Sequence, residues 1–193
     1  MKRVTVFLFS SIIFLTTIAQ TKDPALDKRL KEYMALSKKL DFEKLMDYMH
    51  PKIFKVVPKE QLVELFRSSF ENGMMTIEMD SLSVLKASSP YTYQGSVYRR
   101  IDYFLSMNLK LNDSSFLKTD STREAFIDQM KAGFPGAAVS YVNKENYLNI
   151  DTKKIMFAIK DPNLKWMFIG YENNQGQMME MLIPKQVLTY FKL

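Results

Sequence analysis

The chain has 193 residues, of which 25% are charged and 47% hydrophobic, and it carries a formal net charge of +6. That balance suits a folded domain with its own apolar core and excludes wholesale disorder, collagen-like repetition and a multi-span membrane protein. The absence of cysteine excludes disulfides, zinc–thiolate and iron–sulfur sites, and the single histidine excludes a multi-histidine metal centre and leaves little room for Ser-His or Cys-His machinery.

Lys2 and Arg3 precede an uncharged stretch of 16 residues, 4–19, with Phe7, Leu8, Phe9 and Ile12 to Leu15 at its centre. Thr17 and Ala19 then place small residues at the −3 and −1 positions of a cleavage site. This three-part pattern predicts a signal peptide removed after Ala19 and an exported, periplasmic or secreted protein. The stretch falls short of the ~20 residues of a permanent span, so none is expected, an uncleaved anchor being the alternative. Loss of residues 1–19 leaves 174 residues and a formal charge of +4. The remaining lysines are scattered rather than clustered, and no nucleic-acid partner is expected.

Residues 24–50 read as helix. Pro24 suits a first turn, and Leu26, Leu30, Tyr33 and Met34 fall at spacings of three and four. Asp41 can cap a fresh start at Phe42, which predicts two helices with a bend near Leu40, and His50-Pro51 ends the segment. Pro58-Lys59-Glu60 opens another helix with Leu62, Leu65, Phe66 and Phe70 inward and Gly73 as its stop. After Gly73 the period becomes two: Met75, Ile77 and Met79 alternate with polar residues. The apolar positions then shift to Leu82 and Val84, which predicts a bulge or a bend near Asp80-Ser81. Residues 93–111 read as one long half-buried strand with its odd positions apolar. A short helix over 122–131 precedes strands over 137–142, 151–160 and 165–171, the last two joined by a turn at Asp161-Pro162-Asn163. Asn173-Asn174-Gln175-Gly176 reads as a further turn, before 178–183 and a closing segment from Pro184. Helices first and antiparallel strands afterwards predict an α+β fold in one domain, 20–193: N-terminal helices on one face of a strongly curved antiparallel sheet.

Two or three N-terminal helices containing Leu40-Asp41-Phe42-Glu43-Lys44-Leu45-Met46 come before a long-stranded sheet that ends in a hairpin carrying Lys165-Trp166-Met167-Phe168-Ile169. In this order of elements the chain resembles the nuclear-transport-factor-2-like superfamily, which includes polyketide-cyclase-like and ketosteroid-isomerase-like proteins. It is also similar to small exported Bacteroidetes proteins of this type. The resemblance covers residues 24–171 and leaves 172–193 as a tail. It implies a cone of sheet wrapped around helices, with a pocket at the wide end that binds a small apolar or amphipathic molecule, serves catalysis or is filled by side chains, and homodimerisation through the outer sheet face. Catalytic residues do not carry over. Isomerase-like members use an acidic base with tyrosine and acid partners, and cyclase-like members use Asp-His pairs that His50 cannot be matched to here.

Arg99 interrupts the apolar odd face of the long strand, where a charge is costly unless paired or wet. It is a candidate for a ligand anion, or else it lies near the strand's exposed start or forms a structural bridge to Asp47 or Glu78. Tyr33, Tyr103 and Tyr141 complete the candidate ligand-binding set. His50 reads as a general base or as a helix-terminal residue on the last carbonyls. The 14 methionines include Met74-Met75-Met79 and Met178-Met179-Met181, which resemble thioether clusters for copper(I) but fit core filling better. Tyr91, Tyr93, Tyr98 and Tyr103 could stack on sugar rings, whereas core packing suits aromatics at these spacings, and Trp166 would anchor the last hairpin. No cofactor and no metal are called for. The reading is a non-enzymatic exported domain that binds a small ligand or a protein partner. The alternative is an isomerase- or cyclase-like enzyme with Asp102 or Glu78 as its acidic base.

Overall fold

The computed structural model describes residues 21–142, 146–172 and 176–193, with Ser114 and Phe116 described by backbone alone. The signal segment 1–19 lies outside the described residues, as does most of the predicted turn at 173–176. Six α-helices and an open six-stranded antiparallel sheet make up the described fold, which is α+β.

Helix α1 spans Pro24–Lys38. Asp23 starts it by accepting from the backbone N–H groups of Ala25 and Leu26, both at 3.0 Å, and Pro24 supplies a preset first turn. Leu40 takes the left-handed conformation (φ 54°) at the expected bend, and Asp41 caps α2, Phe42–Leu45. A 3-10 turn at Met46–Tyr48 leads to Met49, which bridges Phe168, and a second at Ile53–Lys55 leads to α3, Lys59–Phe70. The inner stripe of α3 is Leu62, Val63, Phe66 and Phe70. Leu65, expected inward, lies about a third of a turn outside that stripe and is 55% exposed.

Strand β1, Met75–Ala87, carries the predicted bulge between Met79 and Ser81 and a second between Val84 and Lys86. Each bulge resets the alternation, so that Met79, then Leu82 and Val84, then Ala87 all face the same way. The expected single strand over 93–111 is two strands, β2 (Tyr91–Tyr93) and β3 (Ser96–Leu111), joined through Gln94 and Gly95 at φ 49° and 79°. Consecutive positive φ angles make the two-residue turn whose twist matches a right-handed hairpin, and Gly95 adopts its angle without steric cost. Helix α4 spans Asp120–Gly133 and is followed by β4 (Ala138–Val142), β5 (Tyr147–Lys160) and β6 (Met167–Tyr171). The order is β1-β3-β5-β4, with β2 continuing the β1 edge and β6 the β4 edge.

The inner face carries the odd residues of β3 and the even residues of β5, paired as Ile101 with Met156 and Met107 with Ile150. Leu26 and Leu30 of α1 cover one end of it, against Ile101, Met156, Ala158 and Phe168. Phe126, Ile127 and Met130 of α4 cover the other end, against Met107, Leu109 and Leu148. The outer face is covered too, which corrects the expectation of helices on one face only. Helices α5 (Gly176–Leu182) and α6 (Lys185–Tyr190) pack Met179, Leu182, Val187 and Leu188 with Tyr98, Phe157, Ile159 and Ile169. The segment read as a tail is therefore core. Ile183 and Val187 have no exposed surface, and each buried aliphatic side chain of this kind contributes about 1.5–3 kcal/mol.

Candidate functional site

Between the parts of the inner face covered by α1 and α4 the sheet is not filled by side chains. A cavity of about 380 Å³ lies there. Its floor is Met79, Leu82, Leu105, Met107 and Met156, the side chains that strand parity and the first β1 bulge turn inward. Its walls are Leu40, Phe42 and Leu45 from the α1–α2 bend, Phe66 and Phe70 from α3, and Phe134 after α4. Phe42 holds the two α3 rings at centroid distances of 5.7 and 5.5 Å, so this wall is a packed aromatic unit.

One side of the cavity is polar. Tyr103 and Lys154 are direct cross-strand partners on the inner face of β3 and β5. The Lys154 Nζ donates to both carboxylate oxygens of Glu172 at 3.0 Å, just beyond the end of β6. Burial, with the neighbouring Tyr33 and Glu172, pushes the Tyr103 phenol well above its ordinary range. Burial raises Tyr33 as well, against a smaller opposing effect of the Ser37 hydroxyl. Both phenols are therefore neutral donors at neutral pH. Tyr33 is held by its ring contact with Phe168 at 4.9 Å.

Of the four candidate ligand-binding residues, the fold brings Tyr33 and Tyr103 together on this cavity and keeps the other two away. Arg99 Nη1 donates to the backbone carbonyl of Thr21 at 2.7 Å and to that of Ser88 at 3.4 Å, while its buried Nε has no partner among the described residues. It ties the approach to α1 to the end of β1, and it bridges neither Asp47 nor Glu78. Tyr141 lies at the far end of the inner face, its hydroxyl donating to Asn146 Oδ1 at 2.9 Å and its ring beneath the Arg123 guanidinium at 4.6 Å.

The acidic bases considered for an enzyme also fall elsewhere. Asp102 and Glu78 are on the outer face by register, Asp102 paired with Arg100 at 2.7 Å and Glu78 with Lys110 at 2.8 Å. The carboxylate that does reach the cavity is Glu172. Sequence reasoning missed both it and Lys154, although Lys154 interrupts the apolar even face of β5 just as Arg99 interrupts the apolar odd face of β3. Of the four tyrosines weighed for sugar stacking, Tyr91, Tyr93 and Tyr98 share the outer-face cluster, Tyr98 buried in it and Tyr91 stacked on Tyr190 at 3.9 Å, whereas Tyr103 is on the inner face. Met74 and Met181 point to solvent, so neither methionine run converges. Among the described residues, no three His, Cys, Asp or Glu side chains gather as metal ligands.

His50 is neither a cavity residue nor a helix cap. It is 2% exposed, its backbone N–H donates to the Phe168 carbonyl, and its Nε2 lies 3.1 Å from Asp161 Oδ2. Lys52 N–H donates to Nδ1 at 3.3 Å, so the ring is the neutral tautomer with its proton on Nε2 toward Asp161. Ser96 Oγ donates to the other Asp161 oxygen at 2.5 Å. Here the carboxylate bridges serine and histidine, whereas a nucleophilic triad needs histidine in the middle. The cluster fastens the 50–52 segment and the β2–β3 turn to the β5–β6 turn. Burial lowers the His50 pKa despite Asp161. Asp161 is itself raised by burial but held below its usual value by Ser96 and His50. Trp166 pins the same hairpin to α1, donating from Nε1 to Asp23 Oδ2 at 3.2 Å.

Comparison of the chain with protein-family models, with characterised proteins and with solved structures gives no match. Among the described residues no helix is long and apolar enough to cross a membrane.

Proposed function

We propose that this protein is an exported binding domain that takes a small amphipathic molecule into the cavity on the inner sheet face. The observation that carries this reading is the cavity itself: about 380 Å³, walled by aliphatic and aromatic side chains, with one polar cluster at Tyr33, Tyr103, Lys154 and Glu172. Ligand sites are concave, mainly apolar, fixed by a few convergent polar groups, and run from about 300 to 1,000 Å³. The nuclear-transport-factor-2-like cone belongs to this proposal. Two β1 bulges that bend a long sheet over N-terminal helices support it. Export rests on the positive, apolar and small-residue pattern of residues 1–19.

A protein partner or a second copy on the outer face is less favoured. Helices α5 and α6 cover part of that face. The rest alternates Phe104 and Ile155 with Ser106, Asn108, Asn149 and Lys153, which leaves no continuous apolar patch among the described residues there.

Isothermal titration with decanol, an uncharged amphiphile, tests the cavity. Saturable 1:1 binding is expected, and Leu105→Trp, which places an indole across the floor, is expected to abolish it while the circular dichroism spectrum stays unchanged. Binding that survives Leu105→Trp unaltered would place the ligand elsewhere and end this reading.

A further inference from the structure

We infer that the ligand carries a carboxylate head, and that this head takes Lys154 over from Glu172. The inference rests on the cavity reading above and deepens it. Lys154 and Glu172 form the cavity's ion pair, but they are held unequally. Lys154 sits mid-strand on β5, beside Tyr103 and Met156, and its side chain is 24% exposed. Glu172 follows the end of β6 and is 46% exposed. A carboxylate at that position can turn to water and lose little, because an exposed ion pair contributes almost nothing net. The Lys154 ammonium, about half as exposed and rooted mid-strand against an apolar wall, loses more by going unpaired.

That asymmetry decides the sign of the ligand's charge. A cationic head would have to draw Glu172 away and strand Lys154, whereas an anionic head replaces Glu172 and keeps Lys154 paired. The geometry also selects the kind of anion. Both Glu172 oxygens lie 3.0 Å from Nζ, so the protein's own carboxylate already occupies the position a ligand carboxylate would take. Tyr103, kept protonated, stands next to it as a second donor. The volume sets the tail. At about 30 Å³ for each water-sized group, a cavity of about 380 Å³ holds roughly a dozen non-hydrogen atoms, the size of a ten-carbon single-chain acid.

The test compares decanoate, decanol and decyltrimethylammonium by isothermal titration at neutral pH against the wild type, Glu172→Gln, Lys154→Met and Lys154→Arg. Thermal melts confirm that each variant is folded. Decanoate is expected to bind at least tenfold tighter than decanol, and decyltrimethylammonium weakest. Glu172→Gln, which removes the competing carboxylate, is expected to tighten decanoate severalfold relative to decanol. Lys154→Met should erase the preference for decanoate while decanol still binds, and Lys154→Arg should preserve it. Equal affinity for decanoate and decanol, preferred binding of the cation, or weakened decanoate binding in Glu172→Gln would overturn the carboxylate assignment and leave the cavity reading intact. Failure of all three probes to bind would overturn both.

Discussion

Ile183 is the sharpest probe of the C-terminal segment. It lies between α5 and α6, and its side chain has no exposed surface within a cluster that includes Phe157, Ile169 and Leu188. Ile183→Ala removes three carbons from a site whose neighbours come from strands as well as helices, so the hole cannot close by a local shift. Large-to-small changes in such positions cost about 2–5 kcal/mol. In a domain of this size each kcal/mol lowers the melting temperature by about 2–4 °C. A drop between about 4 and 20 °C is therefore expected, with an unchanged urea m-value. Met181, two residues earlier and 66% exposed, provides the control. Met181→Ala should stay within about 0.5 kcal/mol of wild type. Both are measured by thermal and urea unfolding followed by far-ultraviolet circular dichroism. If Ile183→Ala melted with Met181→Ala, the C-terminal helices would be an appendage and the outer face would owe them no stability.

Two more predictions concern buried polar groups. His50 and Asp161 both have folded-state pKa values below their ordinary ones, so the unfolded chain binds more protons. Their stabilisation is whole above pH 6.5 for His50 and above pH 3.8 for Asp161, and it is lost as pH falls below each value. The melting temperature should accordingly decline from pH 7 toward pH 5, and His50→Gln should flatten that decline while lowering stability at pH 7. An equal slope in the variant would remove His50 as its cause. Arg99→Met takes away the donor to the Thr21 and Ser88 carbonyls and should cost about 1–3 kcal/mol in urea unfolding. Decanol binding should be unchanged, and a loss of binding without a loss of stability would return Arg99 to the ligand site.

Much of the inner face was legible because one periodicity governs it. The β1 bulge shows in the chain as apolar positions moving from Met79 to Leu82, since only an extra residue can keep both on one side. The β2–β3 turn escaped notice because Gln94 preserves the polar alternation through the turn, and Gly95 was its only mark. Helices α5 and α6 were hidden for another reason. Each is a short amphipathic piece of only two turns or less, and the Tyr98, Phe157 and Ile159 surface they cover becomes apolar only once β3 and β5 are in register. The polar side of the cavity joins residues from α1, β3, β5 and the end of β6. No local spacing announces that Glu172 will lie against Lys154 across a hairpin. Lys154 also sits beside Lys153, where a lysine pair reads as solvated surface.

Covering the outer face with the last helices orders events during synthesis. The β3–β5 ladder brings residues 97–109 against 148–160, so most of the chain must leave the ribosome before that ladder can close. Phe157 and Ile159 stay wet until Val187, Leu188 and Phe191 arrive to pack with them. The outer face of that ladder therefore stays open to chaperones until the last helices are made.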